Sequence, residues 1–148
     1  QIILLFLKRQ LDDYDFEVTG TEFIGAENVV VCSYQQKAGD KAMTVFEGRQ
    51  VQRLQLRGRV WLREGDGLPL RISIEGTRPA DNDNVIRYGA VVDYAPSGHG
   101  LLLPASVQYA EAVGSQLLVE NKFAYSDFHM FGASSEVKFT FDEAPPKK

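Results

Sequence analysis

Apolar and polar residues alternate along much of this chain, most clearly in residues 58–77 and the positions just before them. Apolar side chains occupy the even positions of a first arm: Leu54, Leu56, Val60 and Leu62. A second arm continues the pattern with Leu68, Leu70, Ile72 and Ile74. Because successive side chains of a strand point to opposite faces, each arm predicts a strand with one buried face. The EGDG sequence between the arms predicts a hairpin turn, since glycine supplies the positive φ that such turns need.

The other positions of this hairpin are rich in arginine: Arg53, Arg57, Arg59, Arg63 and Arg71. Arginines on one strand face predict a solvated surface paired with cross-strand carboxylates such as Glu75. The alternative is a basic stripe for anionic headgroups or sulfated sugars, which guanidinium groups bind in a bidentate manner. Trp61 lies among the arginines. It therefore stacks on them, marks a bulge, or is covered from outside the sheet.

Similar alternation predicts strands along much of the rest of the chain: residues 14–19 (ended by Gly20), 42–46, 86–94, 101–109, 119–125 and 137–141. Residues 29–35 are apolar at both parities, so they predict a strand covered on both faces or one whose inner face changes at a twist or bulge. Short turns join them, and no helical pattern intervenes. We therefore predict a mainly β fold, with residues 14–142 forming a single curved antiparallel sheet, a half-barrel of about nine strands. A closed barrel and a two-sheet sandwich are the alternatives.

The two ends of the chain differ from this pattern. Residues 2–7 are an uninterrupted apolar run followed by Lys8 and Arg9, too short for a transmembrane helix of about 20 residues. Residues 1–13 are predicted to form a short N-terminal helix that covers one face of the sheet, or to be the remnant of a missing segment. The start at Gln1 without Met favours truncation or processing. Residues 143–148 are expected to be a disordered tail.

Composition narrows the functional classes. The 148-residue chain has a net charge of −4 and a pI near 5.2, which argues against a nucleic-acid-binding domain. Its one cysteine, Cys32, cannot form an internal disulfide and lies in an apolar run, so we expect a buried core thiol.

No motif for catalysis or metal binding is complete. His99 and His129 lack metal-ligand spacing to another His or Cys, and no G-x-S-x-G nucleophile motif occurs. The residues from Asp81 to Asp83 begin like a calcium loop, but Ile86 stands where that loop needs glycine. We therefore expect no catalytic residues, no bound metal and no cofactor.

Several short motifs resemble one known superfamily. They are the G-x-V-W-L…G-L-P-L-R hairpin, the later L-L-P stretch at residues 102–104, and F-G-A-x-S at residues 131–135. The hairpin resembles that of the periplasmic lipoprotein carriers of the LolA and LppX type, and the later motifs resemble their uncharacterised bacterial secreted relatives. The resemblance covers roughly residues 14–142. It implies a periplasmic or secreted protein whose curved sheet wraps around helices and holds acyl chains in its concavity.

These observations lead to two hypotheses of different class. In the first, the chain is a non-enzymatic domain that binds an apolar or lipid-like ligand in its concave face. The predicted ligand-binding residues are the aromatics on the apolar parity of the last strands: Tyr88, Tyr94, Tyr109, Phe123, Tyr125, Phe139 and Phe141. In the second, the sheet of a structural or accessory subunit docks a partner protein through Ile3, Phe6 and Trp61.

Overall fold

The computed structural model describes residues 8–37, 43–47, 50–54, 56–79, 84–98 and 100–128. Their main feature is one seven-stranded antiparallel sheet in the order β1-β2-β5-β6-β7-β8-β9, which is curved and not closed. Strands β3 and β4 form a separate two-stranded sheet. The strands are β1 (Tyr14–Ile24), β2 (Glu27–Gln36), β3 (Met43–Glu47), β4 (Gln50–Leu54), β5 (Arg57–Arg63), β6 (Pro69–Pro79), β7 (Val85–Pro96), β8 (Leu102–Val113) and β9 (Gln116–Ala124). The predicted mainly β, antiparallel architecture is confirmed at this level.

The chain follows a meander with one excursion. Strand β2 pairs with β5, and the chain between them forms the β3–β4 hairpin. The sequence pattern had suggested one continuous arm from Arg53 to Arg63. That prediction is wrong, because Leu54 ends β4 and a new strand begins at Arg57. Alternation alone did not mark this break, since the even-position apolar pattern runs through it.

The β5–β6 turn has the predicted chemistry. Gly67 adopts a φ of 69°, and its amide donates to the carbonyl of Arg63 over 2.9 Å. The Asp66 carboxylate accepts from the amide of Leu68 and from the Arg63 guanidinium. The hydrogen bond from Arg63 lowers the pKa of Asp66 below its ordinary value. Glycine and a short acidic side chain therefore fix this turn, as the EGDG sequence indicates.

One face of the sheet carries most of the buried tyrosines, and we call it the aromatic face. Its core cluster consists of Tyr14, Tyr34, Leu56, Val60, Ile72, Val92 and Tyr94. The strand registers place these side chains on one side of β1, β2, β5, β6 and β7. Within the described residues, Ile72 is fully buried and Leu56 nearly so. The predicted inward parity is thus confirmed for Leu56, Val60 and Ile72.

A hydrogen bond locks the centre of this face. The Tyr34 hydroxyl of β2 donates to the backbone carbonyl of Ser73 in β6 over 2.7 Å, passing above Gly58 of β5. A Cβ at Gly58 would overlap that carbonyl oxygen, so glycine is required there by close approach. Burial raises the pKa of Tyr34 well above its ordinary value. The phenol therefore stays protonated and serves as the donor that ties three neighbouring strands together.

A bulge in β6 overturns the predicted position of Leu70. Trp61 lies opposite Arg71 and Leu62 lies opposite Pro69, so Leu70 is an extra residue in the β5–β6 ladder. Its side chain packs with Trp61 and Val31 instead of with Ile72. The predicted parity for Leu70 is therefore wrong.

The predicted burial of Leu68 is also wrong, because this residue precedes β6 and is 40% exposed. A bulge shifts the period by one residue, which a strict alternation pattern does not reveal.

The opposite side of the sheet, which we call the arginine face, has a smaller core of its own. It consists of Val29, Val31, Trp61 and Leu70. Trp61 is only 8% exposed, and its indole N–H donates to the Glu22 carboxylate over 2.9 Å. The Arg71 guanidinium lies 5.8 Å from the centre of its ring. Trp61 therefore both stacks on an arginine and lies next to a bulge, which are two of its three predicted explanations.

The first strand and the segment before it differ from their predicted boundaries. Gly20 does not end β1, because the strand continues to Ile24 after a bulge between Val18 and Gly20. The described part of the predicted N-terminal helix, Lys8–Asp13, is a 3₁₀ helix. The amide of Lys37 donates to the carbonyl of Asp13 at its end. Residues 1–7, the strand predicted at 137–141 and the tail predicted at 143–148 lie outside the described residues. The described part of the chain contains no helix long and apolar enough to cross a membrane.

We expect Val92→Ala to lower the free energy of unfolding by about 2 kcal/mol, because Val92 is 5% exposed within the aromatic-face core. Val85→Ala is the matched control on the same strand, where the side chain is 51% exposed, and should change stability by less than about 0.5 kcal/mol. Urea denaturation measures both values. Equal losses would contradict the assignment of the core to this face.

Candidate functional site

The aromatic face holds an apolar groove of about 540 Å³ beside its core. Its lining residues are Leu11, Phe16, Cys32, Val60, Leu62, Pro69 and Ile72. Among the described residues, this lining contains no charged side chain and one weakly polar group, the Cys32 thiol. A concave apolar site of a few hundred cubic ångströms is typical of small-molecule binding. The groove is therefore the strongest candidate site in the described residues.

Three structural features build the groove. Strands β1, β2 and β5 contribute Phe16, Cys32 and Val60 from the same face, as their registers require. The 3₁₀ helix places Leu11 against one side of it. The bulge at Leu70 brings Pro69 opposite Leu62, so that both line the groove. Phe16 and Leu11 remain 45% and 39% exposed, which leaves apolar surface available to a ligand.

Part of this site was visible in the sequence. Phe16 alternates correctly within the first predicted strand, and Leu11 belongs to the N-terminal segment that is predicted to cover one face of the sheet. Cys32 was predicted to be a buried core thiol. It is a free, half-buried cysteine on the groove wall instead, because the apolar residues opposite leave space there. Pro69 carried no signal, since its position depends on the bulge.

The aromatics predicted to bind ligand lie elsewhere on this face or at its border. Tyr94 is buried in the core cluster, and Tyr88 and Tyr109 lie toward the far ends of β6–β8. Phe123, in β9, is 51% exposed, and Tyr125, just beyond it, is 47% exposed. Phe139 and Phe141 lie outside the described residues, as do Ile3 and Phe6 of the predicted partner contact. The structure thus brings Tyr88 and Tyr109 close together, while Phe123 lies opposite Val107 of β8.

Tyr88 and Tyr109 belong to what we call the polar cluster, which also contains Arg78 and Glu111. Glu111 accepts a hydrogen bond from the Tyr109 hydroxyl and another from the Arg78 guanidinium, the latter over 3.2 Å. Burial, and then the bond to Glu111, raises the pKa of Tyr109 to about 12. The bond from Tyr109 is the main cause that lowers the pKa of Glu111. At neutral pH the cluster holds one ion pair and one neutral phenol donor.

Tyr88 completes the polar cluster in a different way. Its ring lies directly over Gly76, where any Cβ would overlap the phenol. Its hydroxyl is buried and has no hydrogen-bond partner among the described residues. Burial raises the pKa of Tyr88, and nearby Arg78 partly opposes that rise. A buried hydroxyl without a partner is costly, so this group is a candidate to donate to a bound molecule.

The arginines of this face whose side chains the structure describes do not form a basic stripe. Arg71 pairs with Asp93 over 2.5 Å, and Asp93 also accepts from the Ser106 hydroxyl. Arg63 pairs with Asp66 and Glu27. The exposed Arg57 and Arg59 border a surface depression of about 350 Å³ together with three carboxylates, Asp15, Glu17 and Glu75. This mixture of charges favours the solvated, paired face predicted from the sequence over an oxyanion site.

The structure bears on the predicted partner contact at Trp61 and on the residues considered for metal binding. The burial of Trp61 and its bond to Glu22 leave little of the indole exposed to a partner protein. His99, His129, Asp81 and Asp83 lie outside the described residues. Within the ranges that the structure does describe, no three His, Cys, Asp or Glu side chains gather closely enough to hold a metal ion.

No protein-family model, curated protein or solved structure matches this chain. Its resemblance to lipoprotein carriers therefore stays an interpretation of short motifs.

The polar cluster predicts a specific alkaline response. The Tyr109 phenol ionises near its ordinary value of 10.0 in the unfolded chain but near 12 in the folded one. Between these values the folded state holds more protons, so stability should fall as pH rises from about 10 to 12. Tyr109→Phe should reduce this fall in stability, as measured by urea denaturation between pH 10 and 12.

Glu111→Gln tests the contact itself. It removes a carboxylate that raises the pKa of Tyr109, so Tyr109 should ionise at lower pH in a tyrosinate absorbance titration. An unchanged titration would contradict the contact.

Proposed function

We propose that this chain is a non-enzymatic binding domain that holds an apolar or lipid-like ligand on its aromatic face. The observation that carries the proposal is the apolar groove of about 540 Å³, whose described lining residues carry no charged side chain. Burying apolar ligand surface against these residues gains about 25 cal/mol per Å² without desolvating a charge on any of them. The curved, unclosed sheet supports the proposal, because a half-barrel offers such a concavity.

The ligand class follows from the distribution of polarity on this face. The groove accepts hydrocarbon, while the polar cluster lies toward the far ends of β6, β7 and β8. An acyl chain in the groove would contact Phe16 and Leu62. Tyr88 and Tyr109 then become the candidate contacts of a polar headgroup, in agreement with their prediction from strand parity. Phe123 and Tyr125 remain predicted contacts at the border.

The cellular setting is part of the same proposal. A carrier of acyl chains in a periplasmic or secreted compartment agrees with the resemblance of the G-x-V-W-L…G-L-P-L-R hairpin to lipoprotein carriers. In this proposal the half-barrel and a covering N-terminal segment act together, since Leu11 already borders the groove. No chemical step is required of the protein.

Docking of a partner protein is the second candidate function. It is favoured by the edge strand β1, where Val18 and Phe23 are 67% and 75% exposed. Large apolar side chains exposed along a sheet edge are typical of interaction surfaces. A competition experiment distinguishes the two functions. A fatty acid displaces an apolar dye from a carrier, whereas it does not displace the dye from a docking subunit.

The proposal is tested by competition in the apolar groove. We expect an environment-sensitive apolar dye to bind the full chain and palmitate to displace it. Leu62→Glu should weaken dye binding at least about tenfold, because it places a carboxylate in the groove. Leu117→Glu, at a 56% exposed position of β9, is the matched control and should bind as wild type. Circular dichroism verifies that both variants are folded.

Cys32 provides an independent measurement, since it is the single cysteine and lines the groove. Bound palmitate should slow its alkylation by a maleimide reagent, monitored by intact mass. If no fatty acid, phospholipid or detergent displaced the dye or protected Cys32 in a folded, monodisperse sample, the carrier function would be wrong. The docking function would then be preferred.

A further inference from the structure

Strand β9 is the last strand of the sheet among the described residues. Within that part of the chain it pairs only with β8, and all nine of its residues are exposed. Exposed apolar side chains along it include Leu117, Val119 and Phe123. An edge of this length presents a row of backbone donors and acceptors to another strand.

The hydrogen bonds to β8 show which backbone groups of β9 point outward. The amide of Tyr125 donates to the carbonyl of Ala105 over 2.9 Å, and these two residues continue the register that pairs Ala124 with Ser106. Tyr125 and Ala105 are therefore a hydrogen-bonded pair, and odd-numbered residues of the regular part of β9 bond inward to β8. The amides and carbonyls of Glu120, Lys122 and Ala124 point away from the sheet.

The side chains of β9 are complementary to those of a second, antiparallel copy of the same strand. Two antiparallel copies of β9 with Asn121 on their twofold axis place Glu120 of each copy opposite Lys122 of the other. In the same register Val119 lies opposite Phe123 on the aromatic face. Residues 120 and 122 are also those whose backbone groups point outward. The register that pairs their opposite charges is therefore the one that forms backbone hydrogen bonds between the two copies. A shift that centres the axis on Glu120 would instead oppose two carboxylates.

We propose that β9 is a homodimer interface in which two copies pair antiparallel through residues 119–123, centred on Asn121. Glu120 and Lys122 already lie 3.1 Å apart within one chain and are largely exposed, so they exchange partners without desolvating a new charge. The bulge at Leu118 ends the regular segment on one side. Because the contact is limited to one strand from each copy, we expect a weak dimer that increases with protein concentration. The proposal is independent of ligand binding in the groove.

Disulfide trapping tests the register. In a Cys32→Ser background, Asn121→Cys should form a covalent dimer under mild oxidation, because a directly opposed pair without hydrogen bonds has Cα atoms about 4.5 Å apart. Glu120→Cys and Lys122→Cys each face a different residue and should cross-link at least about tenfold more slowly. Faster cross-linking of Glu120→Cys than of Asn121→Cys would overturn this register.

Charge exchange tests the dimer without cysteines. Glu120→Lys opposes two lysines at both symmetric positions, so we expect the dimer Kd from analytical ultracentrifugation to rise at least about tenfold. Lys122→Glu should have the same effect. The double variant Glu120→Lys with Lys122→Glu restores both opposite-charge pairs and should return the Kd close to that of wild type. A wild type that stays monomeric at millimolar concentration, or a double variant no better than the singles, would overturn the interface.

Discussion

The extra residue at Leu70 is the constraint on which the arrangement of this sheet depends. Without it, β6 would present Leu70 and Ile72 on one face, and Trp61 would have no apolar neighbour from β6. With it, Leu70 joins the arginine face and Pro69 moves to the aromatic face. One inserted residue therefore provides both faces with apolar cores, because a register shift of one exchanges the faces of every residue beyond it.

The two faces then take different roles. On the arginine face, Trp61 is fixed by Glu22 and Arg71, and two of the arginines are held by carboxylates, so this side stabilises the sheet. On the aromatic face, the Tyr34–Ser73 bond fixes β2, β5 and β6, while the described side chains leave an apolar groove next to it. A rigid ladder beside an open apolar concavity is the arrangement that a binding site requires. The proposed carrier function uses that contrast.

The open sheet has both an apolar face and strand edges, and the two proposals use one of each. A closed barrel has no free edge, whereas β1 and β9 are the outermost strands of the described sheet. Pairing through β9 would align the aromatic faces of two copies, with Val119 of one copy against Phe123 of the other. The groove is lined by the 3₁₀ helix, β1, β2, β5 and β6, and β7 and β8 lie between β6 and β9, so ligand binding and dimerisation use separate parts of the molecule.

The sequence by itself determined the fold class, the antiparallel pairing and the β5–β6 turn, because alternation and Asp-Gly chemistry act over a few residues. It also determined the inward parity of Val60 and Ile72. Only the tertiary structure decided the bulge at Leu70, the break before Arg57 and the groove lined by Cys32 and Pro69. These features depend on how neighbouring strands register and on what volume their side chains leave unfilled. Both are properties of contacts between distant residues, which a single-strand pattern does not contain.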